Sequence, residues 1–388
     1  MTIHNAVMLT VAAALCCLDV QAQPGWSVQA VYTGEVMRNA DGGIRRATRY
    51  LDNLDLTASY ATQWFGEDAE LFVYGLYNNA ATFSENVVGD LQTVSNIDNA
   101  QNFRLYEAWY AQHFAGGRGS LKTGLIDLNA EFDAIETGGL FLNSSHGIAP
   151  DFSQSGENGP SIFPVTSLAM RVDYAVSERW RLRAGVFDAV PGAPDHPARN
   201  AISLNDGALW VAEADRTSVA GTRVVVGAWG YTVGAERWFA QTDARDRNRG
   251  VYAFIDAPLR REAGDDAQGL NGFLRVGSAR ESVNQTGRYL GAGLVYTGLL
   301  PGRDADQLGL AVAAAFNGDT FKRARRAAGL PVDRAEVNLE LSYRMPITDW
   351  LTLQPDLQYI IDPGAQGELK NALVLGLRFE IGQAFGVD

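Results

Sequence analysis

Cysteine is almost absent from this chain of 388 residues, and both cysteines, Cys16 and Cys17, fall in one short apolar run near the amino terminus. If that run is a leader, the remaining chain has no cysteine, which excludes a disulfide framework, a thiol nucleophile and a cysteine-bound metal. After this run, no stretch reaches the roughly 18 consecutive apolar residues that indicate a membrane-spanning helix. Lysine is scarce too, since 29 of the 32 basic residues are arginine.

The apolar run covers residues 6–18 and is too short to cross a bilayer as a helix, which takes about 20 residues. Val20 and Ala22 then place small residues at positions −3 and −1 of a signal-peptidase site. We therefore expect a secretory signal peptide over residues 1–22 and a mature domain over residues 23–388. The segment before the run has no lysine or arginine, which is unusual for such a leader.

Sequence signals for nucleic-acid binding and for catalysis are missing. The formal net charge of −13 opposes the basic surface that displaces counterions from phosphates. No nucleophile elbow, phosphate-binding glycine loop or zinc-protease motif is present, and the histidines are dispersed, so no metal or other cofactor is expected. One enzymatic alternative stays open: loop carboxylates such as Glu131 and Glu136 could serve a secreted β-rich enzyme acting on glycosides.

The strongest periodic signal is strict alternation of apolar and polar residues, which is typical of half-buried β-strands. Residues 168–176 alternate in this way, and residues 180–186 do so again after a tight turn. One face of this hairpin is apolar, and the other carries charged side chains in mid-strand. The charged residues are Arg171, Asp173, Arg181 and Arg183.

Sixteen such segments follow one another, and helical periodicity is nearly absent between them. They are residues 26–37, 49–61, 69–77, 103–113, 119–126, 167–176, 179–189, 207–214, 220–231, 249–257, 270–281, 287–298, 307–316, 334–345, 350–361 and 371–385. An even strand number, charges on the polar face and aromatic residues near strand ends are typical of a closed barrel in the outer membrane. The prediction is an all-β, membrane-spanning antiparallel barrel of about sixteen strands; the alternative is a soluble β-sandwich, which also alternates.

Two long segments interrupt the alternation. A segment of the length of residues 127–166 inside a compact domain is usually either functional or disordered, and its apolar residues Phe132, Phe141, Phe152 and Phe163 argue for order. We expect it to fold into the lumen of the barrel, to pack on the wall and to narrow the opening. Residues 78–102 are more polar, and we expect them to lie on the extracellular side.

Several blocks spread over nearly the whole mature chain resemble a known family of barrels. They include Tyr50-Leu-Asp-Asn-Leu-Asp-Leu-Thr, Leu71-Phe-Val-Tyr-Gly-Leu-Tyr-Asn, Arg104-Leu-Tyr-Glu-Ala-Trp-Tyr, Leu140-Phe-Leu-Asn-Ser-Ser-His-Gly-Ile and Trp350-Leu-Thr-Leu-Gln-Pro-Asp-Leu-Gln-Tyr-Ile. In these blocks the chain resembles the carbohydrate-selective porins of the OprB type. The resemblance implies a sixteen-stranded outer-membrane porin of a Gram-negative bacterium, through which small carbohydrates, glucose-type monosaccharides above all, diffuse into the periplasm.

A pore for sugars should offer hydrogen-bond donors and acceptors, which arginine and carboxylate side chains supply. We therefore expect Arg171, Asp173, Arg181 and Arg183 to form part of a constriction opposite the long loop. The remaining constriction candidates are Arg104, Glu131 and Asp133, and further lumen candidates are Arg223, Arg275, Arg288, Glu340, Arg378 and Glu380. The alternatives are that these charges only neutralise each other, and that the pore is a general one for small solutes.

The expected partners follow from the same interpretation. They are small carbohydrates, together with the lipid and the lipopolysaccharide of the outer membrane, and no nucleic acid. The sequence leaves open whether the barrels assemble as a homotrimer.

Overall fold

The computed structural model describes residues 25–79, 81–99, 102–192, 206–238, 245–262 and 265–387. The predicted signal peptide lies outside these residues. Sixteen strands form the fold: β1 Gly25–Asp41, β2 Ala47–Trp64, β3 Glu67–Asn78, β4 Asn102–Phe114, β5 Gly119–Ile126, β6 Ser167–Ala175, β7 Trp180–Asp188, β8 Ala208–Thr217, β9 Arg223–Glu236, β10 Arg245–Glu262, β11 Asp265–Ala279, β12 Thr286–Thr297, β13 Gln307–Asn317, β14 Ala335–Thr348, β15 Leu351–Ile361 and β16 Ala372–Val387.

The strands form one closed antiparallel barrel in which each strand pairs with its neighbours in the chain and β1 pairs with β16. Each of the sixteen predicted strands is present, so the predicted fold class is confirmed. Closure pairs the backbone of the first and last strands, which would otherwise present unpaired polar groups to lipid. Within the described ranges, no helix is long and apolar enough to cross a membrane.

The connections differ in length between the two ends of the barrel. At the turn end, residues 65–66 join β2 to β3 and residues 349–350 join β14 to β15. The loop end carries the long connections, among them residues 127–166 and 318–334. Their helical pieces are a π-turn at Ser84–Val88, 3-10 turns at Thr137–Leu140, Ser144–His146 and Pro363–Ala365, and helices α1 Pro150–Ser153 and α2 Asp319–Ala327.

Alternate residues along the strands face outward and inward. The outer positions are mainly apolar, and the inner positions carry buried charges together with apolar residues such as Trp229. On β6, Met170 and Val172 are exposed on the outside, whereas Arg171 and Asp173 are buried on the inside. The same parity holds on the other strands, where exposed valines and leucines occupy the outer positions. The outer face of the barrel is therefore apolar, as a wall surrounded by hydrocarbon requires.

Two connections at the loop end pack against the inner wall. We call residues 81–99 segment A and residues 127–166 segment B. Apolar side chains of segment B, including Phe132 and Phe152, form the larger core with inward residues such as Trp229 and Phe254. Phe83, Val87 and Val94 of segment A form a second core with inward residues of β1, β2, β15 and β16. The interior is therefore a packed core over much of its wall.

Candidate functional site

A row of alternating charges crosses the inner face of β6, β7, β8 and β9. We call it the charge strip, and it consists of Asp173, Arg181, Arg183, Glu213, Asp215 and Arg223. The strand register places Arg183 directly between Asp173 and Glu213, and Arg181 opposite Asp215. The Arg183 Nε donates to the Asp173 carboxylate at 3.0 Å, and Arg181 donates to that same carboxylate. Opposite charges in directly paired positions stabilise neighbouring strands.

The strip also binds segment B, chiefly through Glu131. The Arg171 Nε lies 2.9 Å from the Glu131 carboxylate, and Lys122 of β5 forms an ion pair with it. Arg183 donates to the backbone carbonyl of Glu131. The arginines were expected opposite the long loop, and that expectation is wrong, because they contact it. Segment B starts from β5 and returns to β6, so the nearest inner wall is the one that carries the arginines.

Arg275 of β11 holds a second part of segment B. Its Nη2 lies 2.7 Å from the Asp133 carboxylate, and its Nη1 forms an ion pair with Asp151. All three side chains are almost completely buried, with 2% of the Arg275 side chain exposed. The rings of Tyr252 and Tyr289 flank the guanidinium, at 5.4 Å and 5.2 Å from its carbon. The Asp133 carboxylate therefore pairs with Arg275, while its backbone N–H donates to Glu213 of the charge strip at 2.7 Å.

Segment B reaches further, to β14 and β15. Glu340, fully buried on β14, accepts the backbone N–H groups of Leu142 at 2.5 Å and Asn143 at 3.1 Å. The side-chain amide of Gln354 donates to the Leu140 carbonyl at 2.7 Å. Gly309 of β13 lies under this contact, where a Cβ would approach the Leu140 side chain to 2.4 Å. A side chain at position 309 would therefore require the Leu140 and Phe141 side chains to move.

Segment A contacts the neighbouring part of the wall. Glu336 of β14 accepts the backbone N–H groups of Leu91 at 2.6 Å and Gln92 at 2.9 Å. Two backbone hydrogen bonds join the segments, from the Asn96 N–H to the Leu142 carbonyl and from the Ser144 N–H to the Thr93 carbonyl. Residues 78–102 were expected on the extracellular side; residues 81–99 connect strands at the loop end, and they fold inward onto the wall.

Two other predicted residues lie away from the charge strip. Arg104 faces inward on β4 and is 3% exposed, but it pairs in register with Leu76, near the loop end. On the same strand, Ala111 pairs with Lys122 beside the strip. Arg104 is seven residues, or roughly 24 Å, from Ala111. Arg288 was predicted to face the lumen, and that prediction is wrong: its inner neighbour Tyr289 is buried, while 73% of the Arg288 side chain is exposed outside.

Exposure separates two kinds of inward arginine. The side chains of Arg171 and Arg275 are 7% and 2% exposed and are enclosed by segment B. Those of Arg181 and Arg223 are 34% and 24% exposed, so water reaches them. These exposed guanidinium groups, with the carboxylates beside them, offer several donors and acceptors to a hydroxyl-rich solute. In the part of the chain that the structure describes, no cluster of side chains is suited to hold a metal ion.

A family model of carbohydrate-selective porins, the OprB family, matches residues 45–382. The chain belongs to this family. The porin is 25% identical over 405 residues to Porin B of Pseudomonas aeruginosa, covering 92% of this chain and 87% of that protein. Its fold matches the high-pH structure of Pseudomonas putida OprB, with a TM-score of 0.82, 24% identity and coverage of 92% and 94% of the two chains. The low-pH structure of the same protein matches with a TM-score of 0.59, 20% identity and coverage of 92% and 93%.

The protein is thus a porin of the Gram-negative outer membrane, and the predicted family and function are confirmed. It is a channel and not an enzyme, which removes the glycoside-acting alternative. In barrels of this membrane the short turns are periplasmic and the long loops extracellular. Segments A and B of the porin therefore enter the barrel from the extracellular side.

Glu131→Gln is expected to destabilise the porin by roughly 3 kcal/mol, since removing one partner of a buried ion pair leaves its partners uncompensated. Burial by itself raises the pKa of Glu131. The positive charges of Lys122, Arg171 and Arg183 outweigh that effect and lower the pKa to about 2. Because this pKa lies below the ordinary value of 4.5, the stabilisation is complete above pH 4.5 and is lost as the pH falls toward 2. Thermal unfolding in detergent would show the largest difference between wild type and variant at neutral pH. An equal difference at pH 2 would contradict the assignment.

Proposed function

We propose that the porin passes monosaccharide-sized carbohydrates along the charge strip, and that Arg181, Arg183 and Asp173 contact the sugar at the constriction. The observation that carries the proposal is the partial exposure of the Arg181 and Arg223 side chains, at 34% and 24%, each beside a carboxylate that pairs with it. A neutral sugar presents hydroxyl groups that both donate and accept hydrogen bonds. A row of alternating donors and acceptors can exchange water for these hydroxyls without leaving a buried charge unpaired.

Pairing of the strip also supports selectivity for neutral solutes. A row of unpaired arginines would favour anions over cations. Here each exposed arginine has a carboxylate beside it, at 2.6 Å between Arg223 and Asp215. The field along the strip is therefore largely cancelled, while the directional hydrogen-bonding groups remain. Arg171 and Arg275 stay in the proposal as positioning residues that hold segment B.

Arg181→Ala is expected to weaken block of the channel current by glucose about tenfold, the change that the loss of one charge-assisted hydrogen bond of about 1.5 kcal/mol produces. The measurement is sugar block of single channels in planar bilayers, with Arg183→Ala as a second variant. Arg216→Ala is the matched control, because Arg216 lies over the outward ring of Trp180 on the neighbouring strand.

The alternative of a general diffusion pore gives a different result. Liposomes containing the porin would swell with glucose, a disaccharide and an amino acid at rates set by solute size alone. Equal block of wild type and Arg181→Ala would likewise remove Arg181 from the sugar path. Faster uptake of glucose than of an amino acid of similar size supports the proposal.

The finer partner predictions are also proposals. The exposed apolar outer face supports contact with the lipid and the lipopolysaccharide of the outer membrane. Assembly as a homotrimer is tested by the mass of the unheated protein in mild detergent, where a single barrel mass would contradict it.

A further inference from the structure

A group of arginines lies on the outer face of the barrel, where most side chains are apolar. Arg245, Arg247 and Arg249 occupy alternate positions at the loop end of β10, and all three are exposed. Their parity is outward, because Asn248 and Tyr252 between and below them are buried on the inner face. Arg288 of β12 faces outward two strands away. We call Arg247, Arg249 and Arg288 the outer arginine patch.

The register places this patch at the level of the lipid headgroups. Arg249 pairs with Gly230 of β9, and Gly230 pairs with Trp210 of β8, so the three residues form one row across the wall. Trp210 is 42% exposed on the outer face, near the loop end of its strand, where aromatic residues form the interfacial girdle. Below Arg249 the outward residues of β10 are apolar, with Val251 55% exposed.

In the described part of the chain, carboxylates lie beside two arginines that neighbour the patch and beside one of its members, Arg288, but not beside the other two members. Glu236 lies opposite Arg245 in register, Asp246 binds Arg280, and Glu281 lies 3.7 Å from Arg288. Among the residues that the structure describes, neither Arg247 nor Arg249 forms an ion pair, and the β9 residues opposite them are glycines, Gly234 and Gly230. A cationic surface thus persists on a chain whose net charge is −13.

We propose that the outer arginine patch binds the phosphorylated disaccharide headgroup of a lipopolysaccharide in the outer leaflet. The planar guanidinium fork matches the geometry of a phosphate, and arginine pairs with phosphate through two parallel hydrogen bonds. Arg249 and Arg288 lie two strands apart and are offset by two residues along the strand direction. Their Cα atoms are therefore roughly 12 Å apart, so that they can contact different phosphates of one headgroup. Val251, Val276 and Leu290, exposed below the arginines, offer an apolar surface to its acyl chains. The proposal is independent of which solute the channel passes.

Two features favour a lipid over a free anion as the occupant. The patch borders the apolar band directly, so a molecule bound there touches hydrocarbon as well as arginine. It also lies on the extracellular half of the wall, the leaflet that lipopolysaccharide occupies, since the long loops are at this end. Basic groups at such a boundary attract anionic headgroups, and the attraction decreases within a Debye length.

The test measures binding of purified lipid A to the intact porin in mild detergent, by native mass spectrometry and by the shift in unfolding temperature. The variant is Arg247→Gln combined with Arg249→Gln, and the control is Arg38→Gln. Arg38 is exposed beside outward Val36 at the loop end of β1. We expect the double variant to bind lipid A at least tenfold more weakly, with the control unchanged.

Further arms identify the chemistry. Dephosphorylated lipid A and inorganic phosphate should each give less than a tenth of the binding of intact lipid A. Equal binding of the dephosphorylated lipid would overturn the proposal in favour of apolar contact alone, and equal effect of inorganic phosphate would make the patch a simple anion site. Unchanged binding by the double variant would also overturn it. Glucose-driven liposome swelling shows that the variants are folded. If wild-type liposomes did not swell with glucose, the result would contradict the proposed sugar pathway but not the proposed binding of lipid A.

Discussion

Arg275→Ala is expected to release the central part of segment B from the inner wall and to increase the single-channel conductance. The substitution leaves the buried carboxylates of Asp133 and Asp151 without their cation. Breaking a buried ion pair in this way costs about 3–5 kcal/mol, because one charge stays desolvated without compensation. The β11 backbone remains paired with β10 and β12, so the cost is relieved by moving segment B and not by opening the barrel.

The measurement combines planar-bilayer conductance with limited proteolysis of segment B from the extracellular side. Arg38→Ala is the matched control, since it removes an exposed arginine from the outer face of β1. Arg275→Lys retains the charge but not the fork that reaches two carboxylates, so we expect an intermediate conductance. An Arg275→Ala channel with wild-type conductance and unchanged protease resistance would show that Arg275 does not hold segment B.

Glu340→Ala is expected to detach the opposite side of segment B and to make the channel current noisier. Two backbone N–H groups, those of Leu142 and Asn143, would lose their acceptor inside the barrel. Leaving a buried donor unsatisfied costs about 1–3 kcal/mol, so the two together cost roughly 2–6 kcal/mol. Current fluctuations at constant voltage report the freed segment, because segment B lies inside the barrel beside the proposed sugar path.

Glu380→Ala is the matched control for Glu340→Ala. Glu380 faces inward on β16 and binds Arg344 at 3.2 Å, with 28% of its side chain exposed to solvent. Its loss should leave the current noise unchanged. If both variants were equally noisy, the effect would come from general loss of negative charge and not from detachment of segment B.

The alternation of apolar and polar residues that predicts the barrel ends at the membrane boundary, whereas the strands continue beyond it. The predicted strand at residues 249–257 extends over residues 245–262 in the structure, because β-pairing continues after the outer face leaves hydrocarbon. From Arg249 upward the outer positions are arginines, so the apolar signal ends while the hydrogen bonding persists. Sequence therefore locates the lipid-facing part of each strand well and its ends poorly.

The same logic explains which site residues could be predicted. Strict period two on β6 and β7 places Arg171, Asp173 and Arg183 on one inner face, as the structure has them. Arg288 was misplaced although the register of β12 is continuous from Arg288 to Thr297, and strict alternation with the outward residues Leu290 and Leu294 already places it on the outer face.

The contacts of segment A with the wall could not be predicted from the sequence. Segment A looks polar and solvated, since its buried residues Phe83, Val87 and Val94 follow no regular period. The acceptor that holds it, Glu336, lies about 245 positions away in the chain. Only the closed register of the strands brings the two together.

The seam between β1 and β16 has a consequence for biogenesis. It pairs Trp26 with Val387, which are 361 positions apart, whereas every other neighbouring pair of strands is consecutive in the chain. One edge of the first strand therefore stays unpaired until the last strand has emerged from the export machinery. Until then the unfinished sheet exposes unpaired backbone and an apolar face, the combination that makes folding intermediates aggregate. Periplasmic chaperones must thus hold this chain at least until its translocation is complete.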